Sequence, residues 1–74
     1  MSAPDQLTAR YEAAREAAFA RDNTAAFAHL DALIAARDAS ESAKELLARA
    51  LIEPDFARLE RDARWKLVER AIKK

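Results

Sequence analysis

Residues Ala17–Ala28 read AAFARDNTAAFA, one tetrapeptide written twice, eight residues apart, around a charged and polar centre. Either this is a duplicated unit, or it is the place where two helices meet at a corner. Asp, Asn and Thr are poor interior helix residues, because their side chains compete for nearby backbone groups. The same chemistry makes them good N-caps. The centre RDNT (Arg21–Thr24) therefore predicts a break. Without it, residues 4–38 would form one rod about 52 Å long at 1.5 Å per residue, which would need a partner along its length.

The two copies also differ in setting. At 100° per residue, Leu7, Tyr11, Ala14 and Ala18 share one face of the first helix, and Ala9, Ala13, Ala17 and Ala20 widen it. Phe19 falls outside that stripe, beside Glu12, Arg15 and Glu16. Phe27 joins Leu30 and Ile34 on the stripe of the second helix, flanked by Ala26 and Leu33. Nothing else around the copies repeats, so a solenoid-type tandem array is not expected. Phe27 is expected in the core. Phe19 is expected to fold over the start of the second helix, with exposure to a partner as the other reading.

Outward from this corner the chain is built for helices. Gly is absent, and the only two Pro residues stand at positions 4 and 54. The rest is dominated by Ala, Leu, Glu and Arg, all strong helix formers, with almost no strand-like alternation. The expected fold is all-α: a small four-helix bundle in a single domain, 1–74, with helices at about 4–21, 24–38, 41–53 and 54–73.

Caps set these boundaries. Ser2 can cap the first helix, with Pro4 in its first turn and Asp5 at the positive end of the dipole. RDASESAKE (Arg37–Glu45) offers Ser42-x-x-Glu45 as a capping box, or Asp38-x-x-Glu41 in another register. Pro54 forces Glu53 out of helical geometry and can start the last helix at its own first position.

Composition closes off most chemistry. Without Cys there is no disulfide and no thiolate metal site. His29, the one histidine, has only Ala25, Ala26, Ala32 and Leu33 three or four residues away, none able to share a ligand. Most hydroxyls sit in cap regions, and none has a base beside it in a nucleophile spacing. Phosphate-cradling loops need Gly. Carboxylate pairs such as Glu12/Glu16 and Glu41/Glu45 sit on outward arcs. No enzymatic activity, cofactor, metal or small-molecule substrate is expected.

The longest apolar run, Ala32–Ala36, is far short of the roughly 18 residues a membrane span needs. The start MSAPDQLTAR has no secretory pattern. A cytoplasmic protein is the default expectation.

Thirteen basic and thirteen acidic residues cancel, but unevenly: residues 1–53 carry −3 and residues 54–74 carry +3. Contact of nucleic acid with Arg58, Arg61, Arg64, Lys66, Arg70, Lys73 and Lys74 is the weakest of the functional readings, since dedicated binders show a large basic excess.

Two surfaces stand out. The back of the second helix carries Ala25, Ala28, Ala32, Ala35 and Ala36 around His29, and is expected to be covered by other helices of the same chain, with contact to a second chain as the alternative. The last helix has a core stripe of Phe56, Leu59, Ala63, Leu67 and Ala71. A second row, Trp65, Val68 and Ile72, stands well over 100° away, and Arg58 and Arg61 extend it. Both rows are core if this helix wedges into a groove. Otherwise the second row is a docking patch of the aromatic-plus-Arg kind. The expected function is a non-enzymatic protein–protein interaction module, self-association included, with Trp65, Val68, Ile72, Phe19, Arg58 and Arg61 as contacts. A stand-alone helical scaffold without a ligand, natural or designed, is the alternative.

Overall fold

The computed structural model describes residues 3–73, and Ser2 as the first cap lies outside them. Four α-helices follow in order: α1 (Ala3–Phe19), α2 (Asn23–Ala36), α3 (Glu41–Ala50) and α4 (Arg64–Lys73). Two single 3-10 turns, Pro54–Phe56 and Leu59–Arg61, connect α3 to α4. The Cα radius of gyration is 11.2 Å, matching the about 11.3 Å expected of a compact chain this long.

The corner forms where RDNT predicts it. α1 closes with a Schellman motif: the Asp22 amide donates to the Ala17 carbonyl at 2.8 Å and the Arg21 amide to the Ala18 carbonyl at 3.1 Å. This geometry requires a left-handed residue, and Arg21 supplies it at φ 66° because the sequence has no Gly. The Asp22 side chain then caps α2 by accepting from the Ala25 amide at 3.1 Å. One rod through residues 4–38 is thereby ruled out.

At the next junction Ser40 is the cap, its hydroxyl accepting from the Ala43 amide at 3.4 Å. Neither expected capping box forms. The expected end of the third helix at 53 also moves back to Ala50, because the chain must reach an extended Glu53 (φ −74°, ψ 119°) before Pro54.

The core joins Tyr11, Ala14 and Ala18 of α1 to Ala26, Phe27, Leu30 and Leu33 of α2. Leu46, Leu47 and Ala50 of α3 complete one side of it. Phe56, Leu59, Trp65 and Val68 close the other. Of the expected stripes, Tyr11, Ala14, Ala18, Phe27 and Leu30 are buried with the flanking Ala26 and Leu33, whereas Leu7, Ala13, Ala17 and Ile34 are half-buried and Ala9 and Ala20 are exposed. Of the alanine-lined back of α2, Ala25, Ala32 and Ala36 are half-buried while Ala28 and Ala35 are exposed. That face is only partly covered within the chain.

The largest correction concerns residues 54–73, which do not form one helix. Asp62 adopts extended geometry (φ −87°, ψ 134°) and stops the second 3-10 turn. Its carboxylate accepts from the Arg64 amide at 2.9 Å, starting α4 in a new register. Phe56 and Leu59 are buried as expected, but Leu67 and Ala63 of the same supposed stripe are exposed. Trp65 and Val68, from the other row, take the core positions instead.

Candidate protein-interaction site

Burial of Trp65 at 6% exposure and Val68 at 3% removes both from the accessible surface, so they are core side chains and not the docking row expected of them. Ile72 is half-buried and packs on the core beside Leu47, in a shallow depression it shares with Arg37, Asp38 and Lys44. Arg61 is exposed in the second 3-10 turn. Phe19, expected to fold over α2, stands 84% exposed at the end of α1.

The structure does bring two of the expected contacts together. Phe19 and Arg58 line one surface cleft of about 340 Å³, walled by Ala18, Arg21, Pro54, Asp55 and Ala57. On its other side Phe19 borders a smaller depression with Glu12, Arg15, Glu16 and Asp55. Phe19 is therefore a ridge between two hollows. The reason is local: it lies on the outward arc of α1 with Glu12 and Glu16, and the Schellman turn carries the chain away beneath it.

Beneath the ridge a polar network fixes α1 to the segment around Pro54. Arg15 donates from Nε to Asp55 Oδ2 at 2.8 Å, with Nη2 at the same ion-pair distance from that oxygen, and from Nη1 to Glu12 Oε1 at 3.0 Å. The hydrogen bond to Asp55 raises the guanidinium pKa further above its ordinary value. Tyr11 donates its hydroxyl to Glu53 Oε1 at 2.8 Å, and its phenol pKa is raised first by burial and then by that carboxylate. Arg49 lies 5.2 Å over the Tyr11 ring, within cation–π range. Tyr11 also meets Phe56 edge-on, ring centroids 5.7 Å apart. Of the residues that line the cleft, Asp55 is thus held by Arg15, and Pro54 follows Glu53, the residue that Tyr11 holds.

A second network sits at the start of α4. Arg64 donates to both carboxylate oxygens of Asp62, at 3.1 Å from Nε and 2.9 Å from Nη2, and reaches Thr24 Oγ1 at 3.2 Å. Asn23 Nδ2 adds a contact to Asp62 at 3.4 Å. These bonds, those from Arg64 first, hold the Asp62 carboxyl well below the usual carboxylate range. The same guanidinium lies 4.8 Å over Phe27. Arg64 is accordingly a strut between α2 and α4, and Lys73 pairs with Glu69 at 3.4 Å.

Two further apolar residues are exposed: Ile52, which the sequence did not single out, and Leu67, which was expected in the core stripe. Ile52 is 81% and Leu67 67% exposed. Ile52 follows the true end of α3, a position that Pro54 two residues on could have signalled. Leu67 is exposed because of the break at Asp62. The third Arg-Asp dipeptide of the chain, Arg61-Asp62, was its signal: Arg21-Asp22 and Arg37-Asp38 also stand at helix junctions.

Among the described residues no group of three His, Asp or Glu is placed to hold a metal ion, and no helix is long and apolar enough to cross a membrane. No family model matches this chain, and neither a curated protein nor a solved structure matches it.

Proposed function

We propose that the protein is a non-enzymatic interaction module that docks a protein segment on the Phe19–Arg58 cleft. The observation that carries this reading is the 84% exposure of Phe19 on a chain that buries its other Phe residues, Phe27 and Phe56. A phenyl ring left in water forgoes roughly 1.5–3 kcal/mol of burial. Its neighbours supply what an aromatic anchor needs: a concave apolar floor of Ala18, Pro54 and Ala57, and guanidinium groups at the rim, the combination enriched at binding hot spots. Arg15 and Asp55 neutralise one another, which leaves Arg21 and Arg58 as the uncompensated charges lining the cleft.

The direct test is selection of peptides from a random display library on the immobilised chain, with the Phe19→Ala variant as the counter-target. Peptides that bind the first and lose at least tenfold on the second support the reading. If no peptide depends on Phe19, the cleft is not a docking site and the scaffold reading stands in its place.

A further inference from the structure

The cleft has a polarity that bears on what fills it. Along α1, Glu16 lies about 4.5 Å and Glu12 about 10.5 Å before Phe19 on the helix axis. Arg21 and Arg58 line the cleft on the far side of the ring. Glu12 is paired with Arg15, whereas Glu16, Arg21 and Arg58 take part in no ion pair among the described residues. Asp55 borders both hollows but is paired with Arg15, so the unpaired charges of the surface read, in order, carboxylate, phenyl, guanidinium pair. A pattern with opposite charges on either side of an apolar centre is complementary to itself after a half-turn.

We infer that the occupant of the Phe19 cleft is a second copy of this chain, docked about a two-fold axis that passes beside Phe19. In that arrangement the two α1 helices run antiparallel and the two phenyl rings meet at the centre. Glu16 of each copy faces Arg21 and Arg58 of the other, as an isologous interface requires. The inference rests on the docking reading above and names its partner. A patch built from one helix end and one turn falls at the low end of specific interface sizes, roughly 1,200 Å² or less in total, which makes the dimer concentration-dependent and not obligate. Charge complementarity across such a patch sets register and excludes misaligned pairing more than it adds affinity.

Sedimentation equilibrium of the whole chain from micromolar to millimolar concentration tests this. The wild type is expected to pass from monomer to dimer, and Phe19→Ala to remain monomeric with unchanged helical circular dichroism. Glu16→Lys alone and Arg58→Glu alone each place like charges across the axis, and each is expected to weaken dimerisation at least tenfold. An equimolar mixture of those two variants keeps Glu16 against Arg21 and Arg58 on one side and sets the introduced lysine against the introduced glutamate, with Arg21 beside it, on the other; it is expected to form a heterodimer tighter than the homodimer of either variant. A wild type that stays monomeric at millimolar concentration overturns the inference. So does a dimer indifferent to Phe19→Ala, or a mixture no tighter than its components. Failure here is separable from failure of the docking reading: a monomeric wild type that still selects Phe19-dependent peptides places a different protein in the cleft, while one that selects none removes the docking site itself.

Discussion

Phe56 and Trp65 lie with their ring centroids 6.5 Å apart, although nine residues separate them. On an unbroken α-helix nine residues advance about 900°, which leaves the two side chains on opposite faces and their Cα atoms about 13.5 Å apart along the axis. The extended backbone at Asp62 removes that conflict and lets both rings enter one core, with Tyr11 edge-on against Phe56. It also explains why Leu67 faces water.

Substitutions on the two rows of α4 are therefore expected to part sharply. Trp65→Ala removes a core indole and should cost about 3–5 kcal/mol, a large share of the roughly 4–11 kcal/mol available to a chain of this size. Leu67→Ala, on the exposed row, should stay within about 0.5 kcal/mol of the wild type. Urea unfolding followed by circular dichroism reads both. Equal losses would put the two residues in one environment and contradict the break.

At the corner between α1 and α2, Arg21→Gly should stabilise the chain. Arg21 holds a left-handed conformation that glycine adopts without a Cβ clash, so the gain is about 0.5–1 kcal/mol after allowance for the freer unfolded chain. A gain of that size raises the melting temperature by roughly 2–8 °C in a domain this small. A lower melting temperature, measured at dilute concentration, would mean that the Arg21 side chain contributes more than its backbone costs.

Acid should loosen the start of α4 first. The Asp62 carboxyl titrates lower in the folded chain than in the unfolded one, held by Arg64 and Asn23. Its contribution is complete above the ordinary carboxylate pKa of about 3.9 and is lost as pH falls below that value toward the depressed one. Between pH 7 and pH 2 the urea midpoint of the wild type should fall further than that of Asp62→Asn. Parallel curves would show that Asp62 is no better held than a free carboxylate.

Alkali acts on the other network. Tyr11, the single tyrosine, has its pKa raised by burial and by Glu53. Its contribution is therefore complete below the unfolded phenol value of about 10 and is lost as pH rises beyond it. Tyrosinate absorbance in the wild type should appear together with the loss of helical signal, and not before. Tyr11→Phe should remove this group's share of the alkaline instability, while costing about 1–3 kcal/mol at neutral pH for the hydrogen bond lost to Glu53. Tyrosinate appearing at ordinary pH with helices intact would mean an open hydroxyl.

How far the sequence could be read follows from where its signals are local. The corner at Arg21–Asp22 was legible because the cap chemistry there competes with helix formation residue by residue. The inward stripes of α1 and α2 were legible because each helix is unbroken over its whole stripe. Residues 54–73 were misread, since Ala57, Arg58, Leu59, Glu60 and Arg61 all favour helix and mask the one local signal, the Arg61-Asp62 dipeptide. The break at Asp62 comes from a long-range requirement that Phe56 and Trp65 fill the same space, which periodicity within the segment cannot express. That one break moved Trp65 and Val68 from the expected contact row into the core. Phe19 and Arg58 were both named from sequence, but their meeting in one cleft depends on how α1 docks beside Pro54.

Trp65 carries the chain's only indole, which makes its fluorescence an unambiguous reporter of this arrangement. In the native protein its emission should lie at short wavelength and resist quenching by iodide, and unfolding in urea should shift it to longer wavelength and expose it fully. A native spectrum already at the unfolded position, with iodide quenching the same before and after unfolding, would place Trp65 on the surface of a continuous last helix.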